Sequence, residues 1–175
     1  GSRVRLRLSN VMGTEPIKLS SVAFAQQSTG AGLVKGSSKN LTFAGGSSTV
    51  TIPAGGYAFS DPLSYPVKAF QKYSISFVPL KTIKSPTRHA SSFEQPYVSG
   101  LAKSTTESGL FFAPITLPMH QSWFLLDRLD VETDANKEVV LVVGDSITDG
   151  AASMGNLLSL DPKLTNIGTN TRYSD

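Results

Sequence analysis

Cysteine is absent from all 175 residues, which excludes disulfides and thiolate-ligated metal sites. That absence fits a cytosolic protein and a secreted bacterial or fungal enzyme equally well. Long apolar runs are also missing: no stretch is long enough to span a membrane, and no secretory signal peptide is visible. Charge is sparse, at 17% of residues with a formal net charge of +3, and the basic residues are scattered. No Lys and Arg run interleaved with aromatics occurs, so a nucleic-acid footprint is not expected. Histidine appears only twice, at His89 and His120, which limits the choice of catalytic bases.

What remains is rich in Gly, Ser and Thr. With 39% hydrophobic residues, that mix suits a β-rich globular protein better than a helical or disordered one. The length allows one domain with a sizeable core, or one domain plus part of a second.

The first 130 residues read as short strands separated by turns. Residues 3–8 alternate strictly, with Val4, Leu6 and Leu8 on one side and Arg3, Arg5 and Arg7 on the other. The arginine side is taken as solvated and given no functional weight. Residues 10–16 form a loop rich in breakers. Residues 17–25 form a second strand whose phase slips at Ser20 and Ser21, the mark of a bulge. Further strands are expected at 40–43, 48–52, 63–67, 73–78, 93–98 and 122–131. Gly45-Gly46, Pro53-Ala54-Gly55-Gly56, Asp61-Pro62 and Pro79 punctuate them. Many short strands argue for a β-sandwich or jelly-roll-like fold over residues 1–133. Asn40-Leu41-Thr42 matches a glycosylation sequon, relevant only to a protein secreted by a eukaryote.

The pattern changes after a polar stretch at 134–137. Residues 139–143 (Val-Val-Leu-Val-Val) are continuously apolar, as in a strand buried on both faces of a parallel sheet. The run leads into Gly144-Asp145-Ser146-Ile147-Thr148-Asp149-Gly150. A buried strand ending in a tight turn holds a nucleophile rigidly at a sheet rim. A helical turn starting there would aim free N–H groups at the same point, so the Ser146 N–H can serve in an oxyanion hole. Gly144 permits close approach of a substrate, and Asp145, Thr148 and Asp149 can support the turn. The same residues also occur as plain turn and helix-cap chemistry, so the residues alone leave both readings open.

The string GDSITDG resembles the first block of the SGNH, or GDSL, hydrolases. Upstream stretches resemble a secreted branch of that superfamily, esterases with an accessory β-sandwich. They are RVRLRLSN from Arg3, GTEPIKL from Gly13, LTFAGG from Leu41, VTIPAGG from Val50, SDPL from Ser60 and SWFLLDRLDV from Ser122. Residues 171–175 are similar to the region that follows in that branch. The resemblance implies a β-sandwich at 1–133 and the first strand, turn and helix of an α/β hydrolase domain at 134–175. It implies Ser146 as nucleophile and oxyanion donor, acting on carboxylic esters such as polysaccharide acetyl groups or short-chain lipid esters. No metal or cofactor is implied. The family's remaining oxyanion donors and its Asp-x-x-His block fall downstream of this match, so the segment reads as the N-terminal portion of the enzyme. The C-terminal remainder, as a second chain, is then a candidate partner. His89 and His120 both precede the serine and are taken as surface or structural groups.

Two other readings stand beside this one. A non-catalytic β-sandwich could bind carbohydrate through Tyr57, Tyr65, Tyr73, Tyr97 and Trp123, and an oligomerisation unit could pair through the apolar 139–143 strand.

Overall fold

The β-rich composition is realised as twelve strands, with no helix among the described residues, in a computed structural model. The structure describes residues 1–90, 92, 94–100, 109, 112–115, 122–134, 136 and 143. In chain order the strands are β1 (Arg3–Ser9), β2 (Ile17–Gln26), β3 (Lys39–Asn40), β4 (Val50–Ile52), β5 (Tyr57–Phe59), β6 (Leu63–Ser64), β7 (Tyr73–Pro79), β8 (Arg88–His89), β9 (Tyr97–Val98), β10 (Ala113–Pro114), β11 (Trp123–Phe124) and β12 (Leu126–Glu132).

Two four-stranded antiparallel sheets carry most of them. In the first, β1 is central, with β12 along one edge and β5 and β6 along the other. In the second, β2 is central, with β7 along one edge and β3 and β4 along the other. Two small ladders, β8 with β11 and β9 with β10, complete the set. The alternation read from β1 holds: Val4, Leu6 and Leu8 are buried while Arg3 and Arg5 are exposed. These three residues share one core with Ile17, Leu19, Val22 and Phe24 of β2. The sheets therefore bury their apolar faces together, as a β-sandwich does. Each fully buried Leu or Phe contributes about 1.5–3 kcal/mol relative to exposure.

The expected bulge in β2 is present. Leu19 pairs with Pro79 and Ser21 with Val78, leaving Ser20 as the extra residue, whose hydroxyl donates to the Val78 carbonyl at 3.2 Å. The extra residue lets Leu19 and Val22, three apart in sequence, both face the core. Pro79, read from sequence as punctuation, is instead the last residue of β7. The single strand expected at 122–131 is split. Leu125 adopts a left-handed backbone (φ 58°) with its side chain 1% exposed. Its N–H donates to the Thr87 carbonyl and its own carbonyl accepts from Ser9, both within 2.9 Å. Such a backbone costs about 1–2 kcal/mol for a residue with a Cβ, and the buried side chain and paired peptide groups hold it in place. Of the apolar run at 139–143 only Val143 is described. It is exposed and outside any strand, contrary to the buried position expected for it; the other four residues lie outside the described ones.

The 10–16 loop is organised by Asn10, which is fully buried. Its side-chain Nδ2 donates to the carbonyls of Glu15 and Pro53, and its backbone carbonyl accepts from Gly13 and Gly55. A Cβ on Gly13 would overlap Asn10 Oδ1, so only glycine fits there. This tie fixes the loop after β1 to the turn after β4.

A second tie closes the hairpin loop at Ala44, Gly45 and Gly46, all at positive φ. The Asp61 carboxylate accepts from the N–H groups of Gly45 (2.9 Å) and Gly46 (2.8 Å), filling the anion-binding concavity that such a turn makes. The Gly45 N–H, with help from the Thr42 hydroxyl and the Gly46 N–H, holds the Asp61 pKa below its ordinary value of 3.8. A carboxylate depressed in the folded state stabilises that state above its unfolded pKa. The contribution is lost as pH falls through the folded value. Asp61→Asn is therefore expected to lose less stability than the parent protein between about pH 5 and about pH 2. Denaturant midpoints across that range measure it, and equal losses in both proteins would refute the clamp.

β1 and the end of β12 run side by side. Arg3 pairs with Glu132, the Ser2 N–H donates to the Glu132 carbonyl, and the terminal amine of Gly1 donates to the Val67 carbonyl at 2.9 Å.

Candidate functional site

Ser146, Gly144, Asp145, Thr148 and Asp149 lie outside the described residues, as does His120. The described chain leads toward them through β12, after which Thr133 and Asp134 leave the first sheet. His89 is exposed on β8, opposite Trp123 on β11, with ring centroids 6.4 Å apart in an edge-on arrangement. That places it on a two-stranded ladder, in line with a surface or structural role.

The aromatic residues considered for ligand binding divide into two groups. Tyr65 and Tyr73 belong to the core: Phe24 meets Tyr65 edge-on at 4.9 Å and stacks on Tyr73 at 5.2 Å. Tyr97 is half-buried, and burial raises its phenol pKa. Tyr57 and Trp123 are exposed, and Phe59, not singled out from the sequence, joins Tyr57 on β5.

Tyr57 and Phe59 stand on the outer face of the first sheet beside the arginines of β1. The guanidinium carbon of Arg7 lies 4.4 Å from the centre of the Tyr57 ring, and that of Arg5 lies 5.0 Å from the centre of Phe59. Arg128 of β12 reaches the Phe59 ring at 5.6 Å. On the other side each β1 arginine meets a carboxylate of β12. Arg7 forms a forked pair with Asp127 (Nε–Oδ1 2.9 Å, Nη2–Oδ2 2.8 Å). Arg5 donates to Asp130 through Nη2 at 2.7 Å, and Arg3 lies 3.4 Å from Glu132. Arg128 also contacts Asp130, at 2.8 Å.

A bulge makes this arrangement possible. Arg7 pairs with Arg128 and Leu8 with Leu126, so Asp127 is the extra residue of β12. It brings Asp127 and Arg128, neighbours in sequence, both to the arginine side. The hydrogen bond from Arg5, supported by the charges of Arg128 and Arg5, lowers the Asp130 pKa. The bond to Asp127 raises that of Arg7. Exposed ion pairs of this kind stabilise by about 0–1 kcal/mol each. Their main effect is to fix the side chains against the two rings.

Among the described residues this face sets exposed aromatic rings beside hydrogen-bonded ion pairs. The signal for it in the sequence is a second alternation, Tyr57-x-Phe59, laid against Arg5-x-Arg7. Comparison with known proteins returned no matching protein family for this chain, and no curated protein matches it.

Proposed function

We propose that this chain carries the nucleophile segment of a secreted SGNH-type serine esterase or acylhydrolase. The reading is supported by one observation above others, the GDSITDG string at residues 144–150 following a mostly β unit. In this mechanism Ser146 Oγ attacks the ester carbonyl while its proton passes to a histidine base. The tetrahedral oxyanion is held in part by the Ser146 N–H, and collapse expels the alcohol and leaves an acyl-serine. Water, activated by the same base, releases the acid and restores the serine. By the resemblance, the base and the Asp that orients it come from the family's later Asp-x-x-His block. On this reading Gly144 would leave room for the carbonyl, and Asp145 and Asp149 would support the turn expected there.

The test is covalent. A fluorophosphonate probe applied to the native polypeptide carrying these 175 residues is expected to leave one adduct, on the peptide containing Ser146. Absence of labelling, or labelling at another residue, would overturn the proposal. A non-catalytic module predicts no adduct at all.

A further inference from the structure

The outer face of the first sheet combines two exposed rings with a frame of hydrogen-bonding charges. Tyr57 and Phe59 are 44% and 42% exposed, although guanidinium groups lie against both. As residues i and i+2 of one strand, they project from the same side, roughly 7 Å apart along it. We propose that this face binds a neutral polysaccharide chain, with sugar rings resting on Tyr57 and Phe59 and hydroxyl groups bonded to the Arg5–Asp130 and Arg7–Asp127 pairs.

Three features favour that occupant. First, the charges are largely compensated in place, four guanidiniums facing the three carboxylates of Asp127, Asp130 and Glu132. The β1 arginines face carboxylates at 2.7–3.4 Å, so a polyanion would meet Asp127 and Asp130 as well as the guanidiniums. Second, a protein partner would have to desolvate this whole charged ladder to reach two rings. Such burial is costly, and the carboxylates that alternate with the arginines here are of the types depleted from protein interfaces. A sugar replaces water hydroxyl for hydroxyl, leaving the ion pairs hydrogen-bonded. Third, the ion pairs hold the arginines in place beside the rings, so little ordering is left to be done on binding. The inference goes beyond the serine chemistry and does not depend on it. Together they describe a protein that holds a polymer on one surface and acts on esters at another.

Native gels containing xylan, glucomannan or hydroxyethylcellulose, with polygalacturonate as the acidic comparison, provide the test. All proteins carry Ser146→Ala, so hydrolysis plays no part in the readout. Retardation is expected in at least one neutral gel. Tyr57→Ala and Phe59→Ala should each weaken it about tenfold. Tyr57→Phe, which keeps the ring, and Trp123→Ala, on another ladder, should leave it within about twofold. If an alanine variant fails to fold, Phe59→Leu keeps apolar bulk without the aromatic face and must lose binding in the same way. The proposal is overturned by retardation in no neutral gel, by retardation in polygalacturonate alone, or by neutral binding that survives loss of either ring.

Discussion

Phe24→Ala is expected to lower the unfolding free energy by about 3–5 kcal/mol, a large share of the stability of a domain this size. Phe24 is fully buried near the end of β2, where β3 pairs on one side and β7 on the other. Its ring stacks on Tyr73 and meets the edge of Tyr65, so truncation removes two aromatic contacts as well as buried area. Tyr65 and Tyr73 also contact each other, at 6.1 Å, and are tied to the backbone: Tyr73 accepts from the Lys68 N–H, and the Tyr65 N–H donates to the Ser2 carbonyl. The lining is therefore poorly placed to collapse into the cavity, which favours the upper part of the range. Equilibrium denaturation measures the loss. Phe70, 96% exposed, is the natural comparison, and Phe70→Ala should change stability by no more than about 0.5 kcal/mol. A Phe24→Ala loss under about 1 kcal/mol would show that the two sheets do not share a tightly packed core.

Ser146→Ala carries the larger functional effect. On the proposed esterase reading, removing the hydroxyl would remove the acyl-enzyme route while leaving the oxyanion-hole contribution of the backbone. Loss of a catalytic nucleophile of this kind costs about three to six orders of magnitude in kcat, and the residue left over reflects binding and the oxyanion hole. The assay is hydrolysis of a p-nitrophenyl ester by the native polypeptide and its variant, each checked for an unchanged melting temperature. The melting temperature of the variant is expected to match that of the parent. Activity that persists within tenfold would remove Ser146 from the chemistry.

The sequence was most legible where a period ran long enough to be read. β1 alternates over the six residues 3–8, and the buried side fell where the pattern put it. The slip in β2 was visible because Ser20 and Ser21 interrupt an otherwise apolar phase. β5, β8 and β10 were not read as strands. Two or three residues carry no period, and their pairing is set by partners distant in sequence. The break at Leu125 was hidden for a different reason. A leucine in left-handed backbone follows no local preference; it is imposed by the core and by Thr87 and Ser9. The Asp127 bulge was likewise invisible, because it compensates a mismatch between two strands rather than within one. For function, the serine segment was legible as a motif. The Tyr57–Phe59 surface needed the register of β5 against β1, which no single segment encodes.

The neighbouring ends of β1 and β12 have a mechanical consequence. Gly1 and Asp134 both lie at one end of the first sheet, because Arg3 and Glu132 are paired there. Tension applied between Gly1 and Asp134 would load the β1–β12 ladder one rung at a time, as a zipper opens, instead of shearing all rungs together. The Arg3–Glu132 rung would part first and the Asp127 bulge would be met only after several more. The unit would thus yield gradually to pulling at these two points, while anything fused at either one would emerge beside the other.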